Sequence, residues 1–273
     1  MVHLKTESDI HRLRESADLV SRTLAEVARY IRPGVQTREL DAIAEAFIRE
    51  HGAEPAFKGY RVGHQVFPAA LCISVNDEVV HGIPGSYVLK EGDIVSVDCG
   101  VRLNGWYGDS AYTFAVGEID EEKARLLRVT REALDRGIAQ AVVGKRVGDI
   151  SAAVQRYCEA EGFGVVRELV GHGIGRHLHE EPQVPNFGTP GTGKKLREGM
   201  VLCIEPMITM GSYRIKTDAD GWTVRTVDGQ PAAHYEHMVA VREGKPEVLT
   251  TFDYIEEVLA QTQEEASTKE VLE

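Results

Sequence analysis

The sequence predicts an α+β domain of two related halves, with a sheet buried beneath helices. Three observations carry that prediction. A pair of helical patterns occurs twice, a strand ending in an acidic residue occurs twice, and a long hairpin centres on Asn104-Gly105. Helices and strands segregated in this way, rather than strictly alternating, read as α+β.

The first helical pattern runs over about 8–30, and the second lies within IRPGVQTRELDAIAEAFIREHGA (31–53). The same pair returns at about 121–141 and within VVGKRVGDISAAVQRYCEAEGF (142–163). Aligning Gly34 with Gly144 pairs Glu39-Leu40 with Asp149-Ile150, and Gly52 with Gly162. Each segment has a turn, an acidic residue near the helix start, apolar residues at helical spacing and a terminal glycine. Further on, KEGDIVSVD (90–98) matches REGMVLCIE (197–205), an offset of 107 residues that superposes Asp98 on Glu205. HGIP (81–84) likewise resembles HGIG (172–175). One domain over 1–252 is expected, with repeat halves at about 8–120 and 121–252. From about 253 the composition changes to YIEEVLAQTQEEASTKEVLE, which reads as a terminal helix or tail over 253–273.

The central hairpin can be tested by counting. Residues 94–103 (IVSVDCGVRL) and 106–114 (WYGDSAYTF) are rich in β-branched, apolar and aromatic residues. Asn-Gly between them favours positive φ at both positions, the type I′ turn of a two-residue hairpin. If Leu103 opposes Trp106, opposed residues sum to 209, so Asp98 faces Ala111 and Asp109 faces Gly100. The two aspartates then share one face as diagonal neighbours, roughly 7–8 Å apart. A slip of one residue would separate them. The alternative is a pair of exposed aspartates on a solvated strand face.

Composition sets the outer bounds. The chain of 273 residues is long enough for one large domain, and 42% hydrophobic with 27% charged residues is ordinary for a globular protein. A formal net charge of −12 argues against a nucleic-acid-binding surface. No apolar run approaches the roughly 20 residues needed to span a bilayer, and the first residues lack the apolar stretch of a secretory signal. Cys72, Cys99, Cys158 and Cys203 form no CxxC pair, which suggests reduced, buried thiols and a cytoplasmic protein.

Five residues in short motifs stand out as metal ligands: Asp98 (VSVDCG), Asp109 (YGDSA), His172 (VGHGIG), Glu205 (CIEPM) and Glu236 (HYEHM). Four carboxylates and one imidazole suit two divalent ions, and such a pair can hydrolyse an amide. Glycines frame His172 and let the backbone approach a ligand closely. Glu205 ends an apolar strand just before Pro206, where an unpaired acid is expensive. Oxygen donors with a single nitrogen favour Mn, Fe, Co or catalytic Zn over a structural zinc site. His81 (HGIP) and His179 (HLHEEP) are non-ligand candidates for positioning a substrate or stabilising charge. His177 and His234 read as bystanders.

Over roughly 4–250 the sequence resembles the type I methionine aminopeptidases. The runs that carry the resemblance are CISVNDEVVHGIP (72–84), VDCGVRLNGWYGDSA (97–111), LVGHGIGRHLHEEPQVPNF (169–187), EGMVLCIEPM (198–207) and DGWTVRTVDGQPAAHYEHMVAV (220–241). The resemblance implies a duplicated pita-bread fold with a curved antiparallel sheet. It also implies hydrolysis of the initiator methionine from new polypeptides with a small second residue, by a metal-bound water or hydroxide. Two divalent ions (Co, Mn, Fe or Zn) would be held by the five ligands. Asp109 and Glu236 would bridge them, while His172 and Glu205 bind the first ion. Glu205 would also transfer protons, His81 would contact the scissile amide or help transfer a proton, and His179 would stabilise the tetrahedral intermediate. Tyr60, Cys72 and Trp222 would enclose the methionine side chain. The implied partners are nascent N-termini near the ribosome, with no membrane or nucleic-acid contact and a monomeric enzyme.

This chain departs from the family pattern in three places. The segment 57–70 (FKGYRVGHQVFPAA) is longer than the corresponding loop in many relatives, Leu178 stands where an aromatic residue is frequent, and Gly100 stands where a threonine often sits. Losing that hydroxyl removes a contact behind the metal ligands. Rival readings are a proline-directed peptidase of the same fold, or a non-catalytic binding module that keeps the scaffold.

Overall fold

The computed structural model describes residues 2–272. Its first half contains helices α1 (Glu7–Ala28) and α2 (Thr37–Glu50), and strands β1 (Glu54–Pro55), β2 (Arg61–Val62), β3 (Gln65–Val66), β4 (Leu71–Val75), β5 (Glu78–Val80), β6 (Ile94–Leu103) and β7 (Trp106–Ala115). The second half contains α3 (Glu121–Ile138), α4 (Val147–Ala160), β8 (Gly164–Val165), β9 (Val170–Gly173), β10 (Glu180–Pro185), β11 (Val201–Ile204), β12 (Met207–Thr209), β13 (Ile215–Thr217), β14 (Val224–Thr226), β15 (Ala232–His234), β16 (His237–Ala240) and β17 (Glu247–Val248). Helix α5 (Asp253–Leu272) follows.

Local chemistry starts each helix. Thr6 caps α1 and exchanges hydrogen bonds with Asp9 in a capping box, and the buried stripe Ile10, Leu13, Ala17, Val20, Leu24 and Val27 follows at helical spacing. The repeat is visible in the backbone. Gly34 and Gly144 have φ of 93° and 95°, and Gly52 and Gly162 end α2 and α4 with positive φ. The Gln36 N–H donates to Glu39 Oε2 at 2.7 Å, as the Arg146 N–H donates to Asp149 Oδ2 at 2.8 Å. Leu89 N–H donates to Val35 O, and Leu196 N–H to Lys145 O, both at 2.8 Å.

Every pairing between these strands is antiparallel. In the first half, β6 carries β4 and β1 along one edge and β7 along the other. The larger sheet of the second half runs β10-β9-β11-β16-β17. The register of β6 and β7 is the one counted from the turn: Leu103 opposes Trp106, Asp98 opposes Ala111 and Gly100 opposes Asp109. Asn104 and Gly105 have φ of 53° and 79°, as a type I′ turn requires. The halves meet where the Glu236 N–H donates to Ala111 O at 2.9 Å.

One core runs through both halves, joining Val20, Leu24 and Phe114 to Leu134, Leu202 and Val239. Phe252, just before α5, and Ile255 and Val258 in its first turns are buried in it, and Tyr254 donates to Asp18 Oδ1 at 3.0 Å. The C-terminal segment is thus a helix whose first turns dock on α1.

Helix α1 lies hard against β7. A Cβ placed on Gly108 would stand 2.7 Å from the carbonyl of Ser16, where nothing flexible can yield. Gly108→Ala is therefore expected to destabilise the fold by about 1–3 kcal/mol. A melting temperature equal to wild type in a thermal scan would contradict this close packing.

Candidate metal centre

The five predicted ligands converge. His172 Nε2 lies 3.7 Å from Asp109 Oδ2 and 3.6 Å from Glu205 Oε1. Asp98 and Asp109 are neighbours on the shared face of the hairpin, one opposing Ala111 and the other Gly100. Glu236 reaches the same centre from the seam between the halves, where Ser110 Oγ donates to its carbonyl at 2.7 Å. Strand pairing explains the convergence. Cys203 opposes both His172 on β9 and Met238 on β16, so the central strand β11 delivers Glu205 beside His172 and Glu236.

These groups fit a divalent cation. Burial raises Asp109, Glu205 and Glu236 well above the usual carboxylate range, and neighbouring carboxylates add to it. Burial also pushes Asp98 up to about 7 and His172 down to about 3. Asp98 Oδ1, Asp109 Oδ1 and Glu236 Oε1 are buried without a hydrogen-bond partner among the described residues. Acceptor atoms crowded together without donors are what a cation satisfies. The His172 Nδ1–H donates to Gly173 O at 3.0 Å, which leaves Nε2 free as a ligand.

Ligand-bearing atoms of Asp109, His172, Cys203 and Glu236 lie within 4.8 Å of one another, so Cys203 is close enough to compete. Burial and the surrounding carboxylates hold its thiol pKa well above the usual range. A protonated thiol is a poorer ligand than the carboxylates and imidazole around it.

The centre forms the floor of a cavity of about 510 Å³. Its walls bring together Tyr60, Cys72, His81, His179 and Trp222, all predicted from the sequence. The Tyr60 hydroxyl and His179 Nδ1 are 2.7 Å apart, and the His179 ring meets that of His172 edge-on at 4.4 Å. His81 occupies the left-handed region at φ 59°, a strained backbone for a non-glycine residue. Gly82 beside it makes the turn feasible, because a Cβ there would lie 2.2 Å from Ile73 O.

Several wall residues escaped the sequence reading, among them His234, Phe57 and Phe67. His234, set aside as a bystander, is buried with Nε2 3.7 Å from Glu205 Oε2. The available signal was its position two residues before Glu236, the spacing that puts side chains on one face of an extended chain. His177, by contrast, is exposed and does not line the cavity. Phe57 and Phe67 are buried in the wall, and Phe67 packs edge-on against Trp222 at 5.3 Å. Gly100 is explained by Phe57: a Cβ on Gly100 would stand 2.6 Å from its ring. The missing hydroxyl thus makes room for an aromatic wall, and Leu178 is buried in that wall as well.

Divalent ions bind ionised carboxylates, so uptake must expel the protons that burial retains. Affinity is expected to rise with pH, about tenfold or more from about pH 6 to about pH 8, since Asp98 titrates near 7. Calorimetry in buffers of different ionisation enthalpy should detect released protons. Binding of Mn²⁺ with no proton release and no pH dependence would refute the assignment.

Comparison with known proteins agrees with this site. The chain is 56% identical to a methionine aminopeptidase of Clostridium perfringens over 92% of this chain and 99% of that one. It is 50% identical to methionine aminopeptidase 1 of Bacillus subtilis over 92% and 99% of the two chains. The crystal structure of methionine aminopeptidase from Thermotoga maritima superposes with a TM-score of 0.89 at 46% identity, covering 92% of this chain and all of that one. These neighbours share the pita-bread fold. A model of metallopeptidase family M24 matches residues 11–243, and this chain belongs to that family.

Proposed function

We propose that this chain removes the N-terminal methionine from polypeptides and peptides whose second residue is small. The observation that carries the reading is the buried cluster of four carboxylates and one imidazole at the floor of a cavity with an aromatic wall. Relatives at 50–56% identity bear the name methionine aminopeptidase.

Asp98, Asp109, His172, Glu205 and Glu236 would hold two divalent ions, which when bound polarise a carbonyl and acidify water. Glu205 faces both His172 and His234 and is placed to accept a proton and pass it to the leaving amine. Burial and the nearby His179 lower His81 to about 4, so it is neutral at pH 7 and can hydrogen-bond the scissile amide. With the Tyr60 hydroxyl donating to His179 Nδ1, the Nε2–H is left to donate to oxygen that gains charge in the transition state. Phe57, Cys72, Phe67 and Trp222 offer the apolar and aromatic surface that a thioether prefers. Among the described residues no helix is long and apolar enough to cross a membrane. On this reading the enzyme is a cytoplasmic monomer with a single catalytic domain. It meets nascent chains near the ribosome, and its ions are drawn from Co, Mn, Fe or Zn.

Incubation of the metal-depleted protein with Met-Ala-Ser, with and without Mn²⁺ or Co²⁺, should release methionine only when the ion is added. Met-Lys peptides should be poor substrates. Faster cleavage of Xaa-Pro peptides lacking methionine would transfer the assignment to a proline-directed peptidase. Asp109→Ala and His172→Ala should each lower kcat/KM about a thousandfold or more. The metal-free melting temperature of Asp109→Ala should not fall, because an unpartnered buried acid contributes no stability. Near-normal turnover by either variant would sink the metal mechanism.

A further inference from the structure

We propose that the β2–β3 hairpin recognises the substrate residues that follow the methionine, with Val62 selecting an apolar side chain at the third position. This rests on the aminopeptidase reading and adds a specificity element to it. The hairpin grows out of the cavity wall. Its base is closed by the Phe67 N–H donating to Tyr60 O at 2.8 Å and the Gly59 N–H donating to Phe67 O at 2.9 Å. Tyr60 and Phe67 both line the cavity.

Its tip is the turn Gly63-His64, with Gly63 at φ 58°, the arrangement in which glycine takes the first turn position. Arg61 opposes Val66 and Val62 opposes Gln65, so Val62 and Gln65 share one face. That face looks across the mouth. Gln65 lies on Gly221, where an added Cβ would stand 1.7 Å from its Nε2, next to Trp222. Val62 lines the cavity from the same face and is 54% exposed.

Tyr60 marks the scissile bond, because its hydroxyl is bound to His179. Val62 lies two residues farther out, roughly 7 Å along a strand, and an extended substrate advances at the same ~3.3 Å per residue. When the second residue abuts His81 and His179, the third therefore comes level with Val62. A half-exposed valine offers it apolar contact, while Glu181 and Gln183 also line the cavity and are themselves exposed.

The test compares metal-loaded wild type, Val62→Asp and Val62→Lys on Met-Ala-Leu-Ser, Met-Ala-Asp-Ser, Met-Ala-Lys-Ser and Met-Ala amide. Wild type should prefer Leu to Asp at the third position by about fivefold in kcat/KM, chiefly through KM. Val62→Asp should favour Lys over Asp and Val62→Lys should reverse that order, with Met-Ala amide turnover unchanged in both. Identical third-residue preferences in all three proteins would overturn the proposal. So would an equal loss on Met-Ala amide, which would show Val62 acting on the pocket as a whole. If wild type fails on Met-Ala amide with every ion, the aminopeptidase reading itself falls.

Discussion

Four carboxylates forced into one buried place are the constraint on which this structure depends. In water they would repel weakly; beneath the sheet they must be protonated or neutralised by cations. The fold makes no attempt to neutralise them with its own cations. Arginines and lysines pair elsewhere, as Arg225 does with Asp218 and Lys5 with Glu180. Among the described residues only histidines, lowered by burial toward their neutral forms, stand beside the acids. A site arranged in that way keeps its carboxyls protonated until a divalent cation replaces the protons. The architecture around it is correspondingly overdetermined, with each ligand held by a strand, a seam or a capped turn.

The seam between the halves shows how that rigidity is achieved. Thr113 Oγ1 donates to His234 O at 2.7 Å and accepts from the His234 N–H at 2.9 Å and from Ser96 Oγ at 2.8 Å. The Tyr235 hydroxyl donates to Thr113 O at 2.8 Å. These buried polar groups satisfy one another and fix the register of the segment that carries Glu236. A slip of one residue there would turn Glu236 away from the centre and bring Tyr235 toward it. Ligands from the first half, Asp98 and Asp109, therefore meet those of the second in one defined geometry.

The parts of this arrangement that were legible in the sequence are those set by local rules. Asn104-Gly105 fixed the hairpin register, hence the shared face of the two aspartates. The paired glycines and acidic helix starts at 34–39 and 144–149 exposed the duplication, because turn geometry and capping leave residue-type signatures. Phe57 and Phe67 were not legible as pocket wall. An aromatic residue in a loop carries no mark of which cavity it will face, and Phe57 is placed by the space that Gly100 vacates on a distant strand. His234 was hidden differently: its motif also holds Glu236 and His237, and only the fold separates them. His234 faces Glu205, whereas His237 turns away to Thr250 and Phe252.

The cavity mouth raises a problem that the ligand cluster does not. His81 and Trp222 come from segments far apart in sequence, yet both must face one substrate. The link between them is Arg225, which binds Asp218 at 2.6 Å, Asp77 at 2.8 Å and Glu78 at 2.5 Å. Asp77 and Glu78 begin the strand that leads to His81, and Asp218 begins the turn that presents Trp222. Glu78 also accepts the Val75 N–H at 2.7 Å, so the guanidinium is tied to the backbone beneath the strained histidine. An isolated pair at this exposure would contribute little. Three acids on one planar donor, drawn from two loops, instead set a geometry. The strain at His81 is thus held from outside by a network that does not line the cavity. The precision of the floor comes from buried strands, whereas that of the mouth comes from a half-exposed charge cluster.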